Sequence, residues 1–399
     1  MRRLPVLGVL VGAVSTALAA VPGPADAAAP SCQGHRATIV GTDRGDVLTG
    51  TPGRDVIVGR GGDDEIRGGG GSDLLCGGPG EDRLYGGADR RWHDQFQTIA
   101  TGDRLDGGPG DDLLHPGPTI RGVELVEPDL LVFGGTRGVD VDLGARRATG
   151  QGTDRIVWRR TLGVRGSDGD DRIVGTGGPD HLTGRGGDDE LIGRGGRDTL
   201  RADVGDDLVR GGRGSDDLTS TGGRDELHGG RADDVISVRG GRGDEVRGDG
   251  GGDLVFVYVG DDLRNLAGAV IDGGPPGPEA WDTNAVWVSS GAPMPGVRVA
   301  VDARAGTITG GTMTGFAQVG FGIRRAVLDF LGSDGPDELT TDFGRVVADG
   351  RGGDDLLSGG PRNDRLVGGG GTDHVFGQAG TDTCDAEHVK GCERPSKLR

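Results

Sequence analysis

Residues Gly166–Ser237 read as nonapeptides laid end to end without a gap: GSDGDDRIV, GTGGPDHLT, GRGGDDELI, GRGGRDTLR, ADVGDDLVR, GGRGSDDLT, STGGRDELH and GGRADDVIS. Counting places from the first residue of each unit, place six is always aspartate: Asp171, Asp180, Asp189, Asp198, Asp207, Asp216, Asp225 and Asp234. Place eight is always aliphatic: Ile173, Leu182, Leu191, Leu200, Val209, Leu218, Leu227 and Ile236. Glycine gathers at places one to four. A fixed short period decides the architecture before any local propensity does. Glycines at places one, two and four allow positive φ and a tight turn with close backbone approach. Places seven to nine form an apolar-centred triplet, long enough for one short strand and no more. One apolar side chain every nine residues makes no core alone, but stacked coils align those side chains into a continuous inner row.

Stacking also gathers the place-six carboxylates of neighbouring coils, and like charges so placed repel. A hard divalent cation with oxygen ligands removes the conflict, and calcium accepts carboxylates with backbone carbonyls in flexible geometry. The units resemble the RTX, or haemolysin-type, calcium-binding repeat, GGxGxDxUx with U aliphatic. Gly68–Cys76 (GGGGSDLLC), Gly77–Tyr85 (GGPGEDRLY) and Gly107–His115 (GGPGDDLLH) match that pattern in full. The resemblance implies an all-β chain: a right-handed parallel β-roll or β-helix solenoid with two nonapeptides per turn. It also implies multiple Ca2+ ions in the turns, held by place-six Asp and turn carbonyls. Each site then draws Asp from units two apart, such as Asp171 with Asp189 or Asp180 with Asp198, and glycine and place-three carbonyls complete the shell. The place-five carboxylates Asp170, Asp188, Asp206 and Asp233 read as solvated or outer groups.

Three blocks carry the repeat. The first, 41–115, has Asp46, Asp55, Asp64, Asp73, Asp82, Asp103 and Asp112 at place six. Its inner row is Leu48, Ile57, Ile66, Leu75 and Leu84, and 86–97 (GGADRRWHDQFQ) interrupts it as a protruding loop. The second, 166–264, runs past an inserted Val238 to add Asp244 and Asp253, then fades where Arg264 takes the inward place. The third, 332–385, carries Asp337, Asp355, Asp364, Asp373 and Asp382, with Val346 where an aspartate belongs. Segment 28–40 precedes the first block and 386–399 forms a tail. Between the blocks lie spacers 116–165 and 265–331. In the first, GVDVDLGARRATG alternates apolar and polar residues, the period of a strand. It resembles a spacer found between RTX blocks, and Val297–Gly311 (VRVAVDARAGTITGG) is related to it. Both spacers are expected as wider β-rungs or a small sheet packed in line with the rolls.

Composition agrees with metal demand. There are 87 glycines in 399 residues, 4% aromatics, a formal charge of −19, and 52 aspartates against 11 glutamates. Such a chain struggles to fold unaided, and Asp suits turns and short-reach coordination. Without a basic patch, nucleic-acid binding is excluded. Residues 1–27 read as a secretory signal peptide: Arg2 and Arg3, an apolar run Leu4–Ala20, and Ala25-Asp26-Ala27 for cleavage. The expected location is therefore extracellular, free or attached to the cell surface, with no membrane span after signal removal. Many RTX proteins use a C-terminal export signal instead, so the family's toxin-like behaviour is not carried over. Four cysteines in an oxidising compartment favour two disulfides. Cys384 with Cys392 would close a short loop and Cys32 with Cys76 would pin the first coils, although four cysteines allow three pairings.

No catalytic residues are assigned. The chain holds no HExxH, GxSxG elbow or P-loop, and neither spacer is long enough for a typical catalytic domain. Trp92-His93-Asp94 reads as a contact surface. Two function classes follow. One is a secreted calcium-binding structural or interaction protein whose partner, a cell surface, glycan or protein, is not specified by the sequence. The other is a secreted hydrolase or polysaccharide-modifying enzyme using spacer carboxylates such as Asp140 and Asp142, which share a strand face. Because the metal ligands converge only on folding, metal binding and folding are expected as one transition.

Overall fold

The computed structural model describes residues 29–395 apart from 89–91, 94–97, 100–101, 118–127, 159–161, 241, 261, 276–283, 296 and 343. The expected signal peptide and Asp94 lie outside the described residues. Trp92 and His93 form a two-residue strand paired antiparallel with Thr98–Ile99.

The chain winds so that successive units supply strands to two long sheets, of 17 and 21 strands among the described residues. Units two apart are neighbours in one sheet. Leu182 pairs with Leu200 and Leu200 with Leu218 in the shorter sheet; Ile173 pairs with Leu191 and Leu191 with Val209 in the longer. All these pairings are parallel, so the fold is the expected parallel β-roll. The period explains the burial: every place-eight side chain from Ile173 to Ile236 is at most 1% exposed, and both sheets feed one continuous core. Apart from one 3-10 turn at Leu263–Leu266, the described residues hold strands joined by turns, bends and irregular links. Among them no helix is long and apolar enough to cross a membrane.

Three local expectations need correction. Strands reach six residues in the second block, as in Glu190–Gly195 and Leu208–Arg213, because pairing continues into the first places of the next unit. Positive φ falls at places two and four but not at place one. At place two it is +74° at Arg194 and +116° at Gly212, and at place four +120° at Gly196 and +110° at Gly214. Ser167, Thr176 and Thr221 at place two do not adopt it. Val238 is no mere insertion: it lies in the strand Val235–Arg239, is 3% exposed, and packs in the core.

Both spacers are built alike. Asp140–Asp142, Arg147–Thr149 and Thr153–Ile156 form an antiparallel meander within the longer sheet. Its last strand pairs with Leu113–His115 of the first block and its first strand with Arg172–Val174 of the second. Arg298–Asp302, Thr307–Ile308 and Gly311–Thr314 repeat the arrangement. Gly311–Thr314 joins Val270–Asp272, and Arg298–Asp302 joins Val327–Leu331. The shorter sheet crosses each spacer on two strands, Asp129–Val132 with Leu162–Arg165 and Ala285–Ser289 with Gln318–Gly322. The chain thus doubles back in each spacer while both sheets run on unbroken. Disulfides Cys32–Cys76 and Cys384–Cys392 close the two ends.

Candidate metal centre

Parallel stacking places each place-six aspartate over the one two units earlier, and the backbone uses this. The N–H of Asp171 donates to Oδ1 of Asp189 at 2.8 Å, and that of Asp189 to Asp207 at 2.9 Å. On the other turn side, Asp180 donates to Asp198 at 2.9 Å and Asp198 to Asp216 at 2.8 Å. The first block repeats the bond from Asp46 to Asp64 and Asp55 to Asp73, the third from Asp337 to Asp355 and Asp364 to Asp382. Two unbranched rows of carboxylates result. Apart from Asp46, the place-six aspartates named above are buried.

One oxygen of each carboxylate is thereby used. The other, Oδ2, is buried with no hydrogen-bond partner in Asp64, Asp73, Asp82, Asp112, Asp189, Asp198, Asp207, Asp216, Asp234, Asp355, Asp373 and Asp382. It faces backbone. A Cβ built on Gly193 would lie 2.3 Å from Oδ2 of Asp198 and 2.6 Å from the carbonyl oxygen of Gly211. At a place-one glycine a side chain would crowd the carboxylate and the neighbouring carbonyl, and φ is not positive there; Ala202 and Ser220 take that place in two units of Gly166–Ser237. A charged oxygen packed among carbonyl oxygens is costly unless a proton or cation joins them. Burial pushes Asp112 and Asp234 up to about 8 and Asp189 and Asp198 up to about 7. The N–H bond from the preceding coil opposes this, and neighbouring aspartates add to it. The donor set, carboxylate and carbonyl oxygen, suits calcium and not zinc. Among the described residues no three His, Cys, Asp or Glu side chains converge as a metal cluster, so backbone must supply the rest of any shell.

The RTX calcium-binding nonapeptide repeat family matches at 40–75, 76–90, 100–117, 165–200, 185–218, 201–236, 210–244, 331–361 and 358–387, together just over half of the chain. The chain belongs to the RTX calcium-binding repeat family. No curated protein matches it.

The RTX carboxylates divide into two kinds. In five units with Thr or Ser at place two, its own N–H and hydroxyl donate to the place-six carboxylate: Thr42 to Asp46, Thr51 to Asp55, Ser167 to Asp171, Thr176 to Asp180 and Ser333 to Asp337. These are the opening units of the three blocks. The hydroxyl of Ser220 does the same for Asp225. The Oδ2 of Asp364 accepts the Gly360 N–H, and the twelve aspartates named above present a bare Oδ2 to the turn.

The RTX rows also continue where the repeat is invisible. Asp103 donates its N–H to Oδ1 of Asp129 at 3.0 Å, and Asp112 to Asp154 at 3.1 Å. Burial pushes both acceptors up to about 6. Asp253 donates to Asn284 at 2.8 Å and Asp373 to Glu387 at 3.0 Å. Sequence reading missed all four. Asp154 sits in GTDRIV and Asp129 in PDLLV, each an Asp two residues ahead of a buried aliphatic, Ile156 or Leu131, but without the full set of flanking glycines. Asp129, Asp154 and Asn284 fall outside every matched segment. Val346 does occupy a place-six position and still donates its N–H to Asp364.

The place-five aspartates stay outside the rows. Asp188 and Asp206 donate their N–H groups back to Asp170 and Asp188 at exposed turns. Asp140 meets Arg172 at 3.3 Å and Asp142 meets Arg194 at 3.1 Å, so neither spacer carboxylate is free of a cationic partner. For Asp142, a burial effect that raises its pKa is outweighed by the Ala145 N–H and Arg194, which hold it below the usual range.

Proposed function

We propose that this RTX chain is a secreted calcium-set rod, an extracellular structural or interaction module without catalytic function. The observation that carries the reading is the pair of rows of buried, unpartnered Oδ2 atoms facing turn carbonyls. In the second block Asp189, Asp198, Asp207, Asp216 and Asp234 would each hold calcium with the place-one carbonyls beside them. Calcium supplies there the positive charge that lets the carboxylates ionise in a turn closed to water. The protein's own part is to bring oxygen atoms of successive coils together, which happens only when the coils stack. Binding and folding are therefore one event. Extracellular calcium modules commonly bind at roughly 10⁻⁴–10⁻³ M, which would keep the chain unset before export. Two disulfides fit an oxidising compartment. Asp140 and Asp142, tied to arginines, lend the hydrolase alternative no support.

The test is a calcium titration of the chain lacking residues 1–27, followed by circular dichroism with magnesium as control. A cooperative coil-to-β transition with calcium alone is expected. A β-rich spectrum that persists unchanged in chelator would remove the basis of the proposal.

A further inference from the structure

One residue changes the chemistry of the shorter sheet's row. After Asp216, Asp234 and Asp253 the next position is Asn284, 1% exposed. Its Oδ1 accepts the N–H of Asp253 at 2.8 Å, as the aspartates do in earlier coils. That bond fixes which way the amide faces. Nδ2 is turned to the opposite side and lies 2.9 Å from the carbonyl oxygen of Gly273, 3.0 Å from that of Gly274 and 2.9 Å from that of Gly315.

The position matches a regular rung. A Cβ on Gly248 would meet Oδ2 of Asp253 at 2.3 Å and the Gly273 carbonyl at 2.5 Å. A Cβ on Gly273 would meet Nδ2 of Asn284 at 2.9 Å and the Gly315 carbonyl at 2.6 Å. An N–H donor thus stands where the other rungs have an acceptor. Carbonyl oxygens that would need a cation beside an aspartate are served by an amide that carries no charge. The following coil explains the choice: its equivalent residue is Ala317, whose N–H donates to the Asn284 carbonyl, and no carboxylate comes from that side.

We propose that Asn284 is a metal-free rung: its amide takes the place of a cation in a three-carbonyl cage and divides the row of calcium sites into two separately loaded segments. This rests on the calcium reading above. The substitution Asn284→Asp would restore an acceptor to the cage and create a calcium site, while Asp234→Asn would close one.

The experiment counts ions bound to the chain lacking residues 1–27, by equilibrium dialysis against radioactive calcium, with circular dichroism on the same samples. Asn284→Asp should bind one ion more than wild type. Asp234→Asn should bind at least one fewer yet still become β-rich in calcium. An unchanged count in a folded Asn284→Asp overturns the proposal. If Asn284→Asp does not fold in calcium, Asp234→Asn decides: a folded chain with a lower count supports the amide rung, and an unfolded chain or an unchanged count sinks it. A wild type that binds no calcium shows itself in its own arm and defeats the calcium reading, and this proposal with it.

Discussion

Asp198→Ala should raise the calcium concentration needed to set the fold by about tenfold or more, while Asp188→Ala should leave it within about twofold. Asp198 has two tasks. Its Oδ1 holds the N–H of Asp180, and its Oδ2 faces the Gly193 turn with no partner of its own. Removing the carboxylate strands a buried N–H, which costs about 1–3 kcal/mol, and a tenfold change corresponds to about 1.4 kcal/mol. Any cation at that turn loses its charged ligand as well. Because each coil leans mainly on its neighbours, the damage passes along the stack. Asp188 also accepts an N–H, from Asp206 at 2.9 Å, but at an exposed turn where water can replace it. Circular dichroism at a series of calcium concentrations reads both midpoints. Equal shifts for the two variants would mean that the buried rows are not where the metal acts.

In chelator, acid should build structure rather than destroy it. Burial raises the pKa of several place-six carboxylates from the ordinary carboxylate range, to about 8 at Asp112 and Asp234 and about 7 at Asp189 and Asp198. A raised carboxylate binds more protons in the folded than in the unfolded chain. Folding stability therefore falls as pH rises through the folded values and is regained as pH falls towards 4. The usual acid lability of paired carboxylates has the opposite sign. The β-signal of the metal-free chain should grow on acidification from about 8 to about 4, where a proton does part of the work proposed for calcium. Calcium affinity should fall over the same range, since proton and ion compete for one oxygen. A metal-free spectrum that stays coil-like from pH 8.5 to 4 would show that the turns, not the carboxylate charge, limit folding.

The repeat itself was legible because its chemistry is local. Place eight had to point inward, and Ile173 through Ile236 do. The stacking of units two apart, and with it the Asp171–Asp189 neighbourhood, followed from the family pattern. For the place-one glycine the expected close backbone approach holds, with the carbonyl of Gly211 a full coil away from Gly193, while the positive φ does not. The spacers were legible as β but not in order. Nothing within Thr153–Ile156 says that it, and not the earlier Asp140–Asp142, will lie against the first block. That choice is made by a partner strand about forty residues upstream, and Asp112 meets Asp154 across a separation of 42. Asn284 shows the same limit. Its meaning lies in Gly315, on a coil that the period does not reach.

The hydrogen bonds of the two rows all point one way along the chain, each coil giving its N–H to the carboxylate of a later one. The two ends of the stack are consequently unequal. A stack shortened from the front bares carboxylate oxygens, which water serves well. A stack shortened from the back bares N–H groups inside narrow turns, where nothing replaces the missing acceptor. Glu387 provides that acceptor for Asp373 at the far end, next to the Cys384–Cys392 bridge. A polypeptide that emerges N-terminus first presents every coil before the one that completes it.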